Sequence, residues 1–184
     1  MRVFIAIEFE DKVKEFLVHL QSELRNYCDR GNFSHRENLH LTLRFIGEIE
    51  ELGLPALKTA ITEAAERSAE FTLGLKGLGQ FPKGGRSVAW VGVQPAPELQ
   101  KLYQEMEKAL DKQGFGRENR GFNPHITLAR EVDKGQIREA ISTVRTGGVT
   151  QQVRGITLMH STREGGRLVY KPLFRHALLS AVPS

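Results

Sequence analysis

The chain has a single cysteine, Cys28, among its 184 residues, so no internal disulfide can form and no cysteine-based metal spacing exists. A reducing compartment, the cytoplasm, is the expectation that follows. No run of 18 apolar residues is present, which leaves no candidate for a membrane-spanning helix. There is also no cluster of Lys and Arg and no basic tail, although a net charge of +4 and a pI near 9.3 permit a polyanionic partner. The apolar opening stretch, residues 1–7, is closed by Glu8, Glu10 and Asp11 without a small-residue cleavage site, so it reads as a strand and not as a signal peptide.

Against these absences stands one kind of stretch that occurs twice: Asn38-Leu-His-Leu-Thr-Leu-Arg-Phe-Ile-Gly47 and Asn123-Pro-His-Ile-Thr-Leu-Ala-Arg130. Successive side chains of a strand point to opposite faces. His40 and Thr42 therefore share one face while Leu41 and Leu43 share the other, and His125 and Thr127 stand in the same relation to Ile126 and Leu128. Each strand can bury its apolar face and offer a ligand an imidazole and a hydroxyl about 7 Å apart. Six histidines and ten threonines in 184 residues give about 0.3 His-x-Thr triplets by chance, and three occur. The third, at His160, lacks the apolar partners and runs into Glu164-Gly165-Gly166, a turn signal, so it is set aside.

Read in order, the chain alternates strands and helices. Residues 2–9 form a strand and 11–28 a helix with Val13, Phe16, Leu17, Leu20 and Leu24 on one side. The first histidine strand covers 38–46, a helix follows at 53–69, and a glycine-rich strand at 71–79 suggests a bulge or a close backbone approach. Residues 81–86 read as a loop, 87–93 as a strand holding Trp90, and 97–113 as a helix. A basic, glycine-punctuated loop at 114–121 delivers the second histidine strand at 123–130. A helix from 133 or 134 to about 144 and a closing hairpin of strands at 150–160 and 167–179 complete the chain. Val3 to His40 and Val88 to His125 are both 37 residues, each interval running strand, helix, loop, histidine strand. Repetition at such a period implies a duplicated unit. The expected fold is α+β, bilobal and duplicated, with two antiparallel β-sheets flanked by helices around a central cleft that carries both histidine strands.

Two histidines in one pocket can divide labour: with an ordinary value near 6.5, one can be neutral and accept a proton while the other is charged and donates one. That suits attack at phosphorus, where a water loses a proton and a leaving oxygen gains one. Threonine hydroxyls and a cationic imidazole can hold the non-bridging oxygens. The motif strands have neither the carboxylate cluster nor the His/Cys spacing that a divalent cation requires, so neither metal nor other cofactor is expected. A two-histidine zinc site completed by a distant carboxylate is the alternative.

His40-Leu-Thr-Leu43 and His125-Ile-Thr-Leu128, with flanks such as residues 2–7, 77–82, 90–93 and the terminal hairpin bearing Gly166 and Tyr170, resemble the duplicated H-x-T-x signature of the 2H phosphoesterases. The likeness is to the RNA 2′,3′-cyclic phosphodiesterases, also called 2′-5′ RNA ligases, and covers nearly all of residues 1–184. It implies a single domain of two pseudo-symmetric lobes, metal-independent opening of terminal 2′,3′-cyclic phosphates, His40 as proton donor and His125 as proton acceptor. It also implies a phosphate-contacting arginine at Arg130, whereas strand alternation alone favours Arg44, which shares parity with His40 and Thr42. Phe9, Phe81 and Tyr170 are candidates to stack a base. Partners are RNA ends or small nucleotides bearing a cyclic phosphate, met by a monomer away from any membrane. The readings of another class are a nucleotide or RNA 2′-phosphate binding module without turnover, and the same chemistry on a small nucleotide or a 2′-5′ linkage.

Overall fold

In a computed structural model, which describes residues 1–180, the chain folds as nine strands and four α-helices in an α+β arrangement. The last four residues of the expected domain lie outside the described residues. Strand β1 (Arg2–Glu8) leads to helix α1 (Asp11–Arg25), then to a two-residue strand β2 (Asn32–Phe33) and to β3 (His40–Glu48). Helix α2 (Leu54–Glu66), β4 (Phe71–Lys83), β5 (Arg86–Val93) and α3 (Pro97–Lys112) follow. The chain ends with β6 (His125–Asp133), α4 (Lys134–Thr143), β7 (Thr150–Val153), β8 (Gly155–Glu164) and β9 (Arg167–Ala177).

The strands form two antiparallel sheets, ordered β3-β1-β8-β9 and β2-β6-β5-β4-β7. The duplication is visible in these orders, since β3-β1-β8 in one sheet matches β6-β5-β4 in the other. The halves also exchange strands. After its second helix the first half sends β4 to pair with β5 of the other sheet, and the second half sends β8 back to pair with β1. The apolar side of each sheet packs against the helices in one core, with Val3, Ile5 and Ile7 of β1, Leu41 and Leu43 of β3, and Ile126 and Leu128 of β6 buried together with Leu17, Leu20, Ile61, Leu102 and Ile137 from the four helices. On the opposite side of the first sheet lies a small separate cluster of Phe4, Ala6 and Met159, against which Tyr170 packs.

Several expected boundaries are corrected. Helix α1 stops at Arg25, where the Asn26 and Tyr27 amides turn back to the carbonyls of Glu23 and Leu24, instead of running to 28. Residues 36–38 form a short 3₁₀ turn, so the first histidine strand opens at His40 itself. The stretch 81–86 is a hairpin rather than a loop: Phe81, Pro82 and Lys83 continue β4, and the turn is Gly84-Gly85. The strand expected at 150–160 is two strands that break at Arg154, because β7 belongs to the second sheet and β8 to the first. The expectation of a bulge and a close approach in the glycine-rich strand is met. Gly77 takes φ +83° where the β4–β5 register slips, and a Cβ on Gly79 would lie 2.2 Å from the Trp90 ring that crosses it.

Candidate active site

Directly opposed residues in an antiparallel pair project to the same face of the sheet, so the register decides what each motif presents. Thr42 opposes Ala6 and His40 opposes Glu8, away from the helices, and Thr127 opposes Trp90 while His125 opposes Gly92. Strands β3 and β6 touch one another where the two sheets meet, so the strands that carry His40, Thr42, His125 and Thr127 are neighbours.

Each imidazole is pinned in the same way. Nδ1 of His40 is 2.7 Å from the Asn38 carbonyl oxygen, and Nδ1 of His125 is 2.7 Å from that of Asn123. A carbonyl oxygen only accepts, so Nδ1 carries the hydrogen in both rings and Nε2 is left for chemistry. At His40, Nε2 lies 2.8 Å from the Thr42 hydroxyl. Burial holds His40 below the ordinary histidine value. The Asn38 bond opposes that shift, and the positive charges of His125 and Arg130 add to it.

Aromatic rings wall each histidine. Phe4 lies 4.8 Å from His40 and Tyr170 stands edge-on at 5.2 Å, while Phe81 stands edge-on to His125 at 4.9 Å and Trp90 lies 6.0 Å away. Burial raises the Tyr170 hydroxyl, and the charges of Arg130 and Arg2 draw it back down. Glu8, the cross-strand partner of His40, is occupied elsewhere. Its carboxylate accepts two bonds from Arg175 at 2.8 and 2.9 Å and one from Thr157, which hold it below the usual carboxylate range.

A bulge after each threonine settles which arginine faces the cleft. In β6, Thr127 opposes Trp90 and Ala129 opposes Ala89, so Leu128 is an extra residue. Ala129 falls on the buried face with Leu128, and the next residue, Arg130, swings out to the side of His125. The displaced carbonyl of Leu128 accepts bonds from the buried Gln21 side chain (2.9 Å) and the Ser34 amide (3.0 Å). The same bulge occurs at Leu43, because Thr42 opposes Ala6 while Arg44 opposes Ile5, a core residue. Alternation therefore fails for Arg44, and the expectation that it faces the phosphate is corrected. Its guanidinium, 10% exposed, donates to both Glu107 carboxylate oxygens at 2.6 and 2.8 Å, and Glu107 also accepts from the Glu118 amide at 2.7 Å. Arg44 is a strut between β3, helix α3 and the basic loop that precedes β6.

Phe9 is corrected as well. At 6% exposure it is part of the main core, beyond the end of β1, and has no face to offer a base. The residue that the sequence reading passed over is Phe45. Each motif's bulge puts the fifth residue after the histidine on the cleft side, which is Arg130 in one copy and Phe45 in the other, so the repeat itself could have revealed it. Among the described residues no group of three or more His, Cys, Asp or Glu side chains is placed to hold a metal ion.

Comparison with known proteins meets this geometry at the level of the whole chain. A family model described as the 2′-5′ RNA ligase superfamily matches residues 9–165. The chain belongs to the 2′-5′ RNA ligase superfamily. Among curated members, an RNA 2′,3′-cyclic phosphodiesterase of Aeropyrum pernix is 37% identical over 146 residues, covering 75% of this chain and 81% of its own. The protein of the same name in Escherichia coli is 32% identical over 179 residues, 96% of both chains. The crystal structure of E. coli LigT complexed with 3′-AMP superposes with a TM-score of 0.81 at 31% identity, covering 96% of this chain and 97% of that one. This superfamily member thus shares its fold with LigT over nearly the whole of both chains. No helix among its described residues is long and apolar enough to cross a membrane.

Proposed function

We propose that this protein opens terminal 2′,3′-cyclic phosphates of RNA to 2′-phosphomonoesters without a metal, with His125 as general base and His40 as general acid. The observation that carries the reading is the pair of imidazoles held at Nδ1 by backbone carbonyls, which leaves Nε2 of each ring for the reaction, that of His40 resting against the Thr42 hydroxyl at 2.8 Å. Nε2 of neutral His125 takes a proton from water as its oxygen attacks phosphorus. The bond from phosphorus to the 3′ oxygen breaks, and Nε2–H of charged His40 protonates that oxygen. Arg130 and the hydroxyls of Thr42 and Thr127 hold the non-bridging oxygens, and Tyr170 orients the nucleoside beside His40. A phosphate anion in the cleft offsets the burial that keeps His40 neutral, so substrate itself favours the charged acid.

If a 5′-hydroxyl replaces water as the nucleophile, the same proton transfers yield a 2′-5′ phosphodiester, so reversible ligation belongs to the same proposed mechanism. Residues 1–184 act as one domain whose pseudo-symmetric lobes each supply a motif, a reading supported by the matched strand orders. We place the protein as a monomer in the reducing cytoplasm, in keeping with its single, buried, free cysteine.

The deciding experiment incubates the protein with RNA ending in a 2′,3′-cyclic phosphate in excess EDTA and reads the product by phosphorus NMR. The expected product is a 2′-phosphate with a free 3′-hydroxyl. A 3′-phosphate would reverse the leaving group. Dependence on one added divalent metal would favour the zinc alternative, and binding without turnover would leave a 2′-phosphate binding module.

A further inference from the structure

We propose that Arg2 and Phe45 form a second nucleotide subsite that takes the base and phosphodiester of the residue preceding the cyclic phosphate. The inference rests on the proposed RNA-end reading and extends it from the reacting phosphate to the chain attached to it. Phe45 opposes Phe4, which is in contact with His40, so its ring lies on the cleft side of the first sheet. It is 47% exposed, one of few large apolar side chains left open to solvent. The Arg2 guanidinium sits over that ring at 4.9 Å from its centre. Phe4 also packs edge to face on Tyr170, whose ring stands against His40, so platform and catalytic face are continuous.

Distance and chemistry select the occupant. His40 and Phe45 oppose Glu8 and Phe4, four positions apart on β1, or about 13 Å at strand spacing. Phe4 and Tyr170, packed edge to face at 4.9 Å, fill the space between. A base on Phe45 therefore belongs to the neighbour of the reacting nucleotide. That neighbour brings a phosphodiester, which a mononucleoside cyclic phosphate lacks, and Arg2 is the cation to meet it. Arg2 has no carboxylate within 4.0 Å among the described residues, and its cross-strand partner Glu48 is turned to the terminal amine of Met1 at 3.5 Å. A ring topped by a guanidinium stacks any base, so the subsite reads chain length and not sequence.

Fluorescence titration of the intact protein with mono-, di- and trinucleotides ending in a 2′-phosphate tests this. Wild type should bind the dinucleotide about 5- to 150-fold more tightly than the mononucleotide, the range of one stacked base, with little gain from a third. Phe45→Ala should remove most of that gain and Phe45→Trp should keep it. Arg2→Gln should lower the slope of log Kd against log salt for the dinucleotide by about 0.7, one phosphate contact on a single strand. Equal weakening of mono- and dinucleotide by Phe45→Ala, or an unchanged slope in Arg2→Gln, would overturn the subsite. Hydrolysis of cyclic phosphate by a wild type that shows no dinucleotide gain would sink the subsite alone. A dinucleotide gain in a protein that hydrolyses nothing would sink the catalytic reading alone.

Discussion

The two halves of the site are built alike and surrounded differently. Both histidines are locked at Nδ1 by the carbonyl two residues earlier, and both motifs bulge at their fourth residue. The first copy then spends its following arginine on a strut, Arg44 to Glu107, and presents Phe45. The second has Ala129 in the buried place and presents Arg130. His40, walled by Phe4 and Tyr170 and bonded to Thr42, is held toward its neutral form, with the charges of His125 and Arg130 adding to the effect. Alike anchoring at Nδ1 thus leaves the two imidazoles in unlike surroundings, His40 against Thr42, Phe4 and Tyr170 and His125 beside Phe81 and Trp90.

The largest effect should come from erasing either half. His40→Ala and His125→Ala are each expected to lower kcat by about 10²–10⁴-fold, the range for loss of a general acid or base. The double variant should be little worse than either, because the residues act as a unit. Melting temperatures should stay near wild type, since both rings face the cleft. A large drop in melting temperature with a modest kinetic loss would mark them as structural.

The strut belongs to the first half only, and breaking it separates folding from chemistry. Glu107→Ala leaves the Arg44 guanidinium buried without its carboxylate, and loss of one partner of such a pair costs about 3–5 kcal/mol. Urea unfolding should show this loss, and adding Arg44→Met should recover most of it. If Glu107→Ala is as stable as wild type, the pair is solvated and not a strut.

The second half has its own support, which a smaller effect should expose. Gln21 donates to the carbonyls of Leu128 and Ser34, at the bulge that turns Arg130 outward. Gln21→Met should cost about 1–3 kcal/mol, the penalty of leaving buried acceptors under-satisfied. Turnover should fall along with stability because the bulge sets Arg130. Lost stability with kinetics intact would mean that β2 alone fixes the bulge.

How far the sequence reaches is clear from these same residues. That His40 shares a face with Thr42, and His125 with Thr127, was legible because a period of two over four residues fixes a face, and the 37-residue interval exposed the duplication. Beyond the threonines, alternation misassigned Arg44, because a bulge shifts phase by one and leaves no compositional mark on a Leu-Arg-Phe run. Phe9 looked like a strand-end aromatic free to stack, but only tertiary packing decides that it closes the core. The exchange of β4 and β8 between sheets was likewise hidden. Local periodicity says that a stretch is a strand, but not which neighbour it joins, and the 150–160 stretch contains two strands with different neighbours.

The finest test of the comparison is electrostatic. Arg130 is proposed to hold the phosphate, and its charge is also one of those that push His40 down. Arg130→Gln should lower kcat/KM by about 10–100-fold through the lost charge-assisted contact, while His40 moves up toward the ordinary histidine value. The alkaline limb of the profile, where the acid loses its proton, should then shift to higher pH as its height falls. Stability has the matching sign. A histidine held below its unfolded value favours the native state above about pH 6.5, and that contribution is lost as pH falls through the folded value. Removing the Arg130 charge raises the folded value and should shrink the acid-side loss. Proton NMR titration of the His40 ring would follow the shift directly, with the two imidazoles treated as a coupled pair. Arg130→Lys, which keeps the charge, should leave the limb in place. A profile that drops without moving in Arg130→Gln would show that Arg130 only holds the substrate, and that burial alone distinguishes His40 from His125.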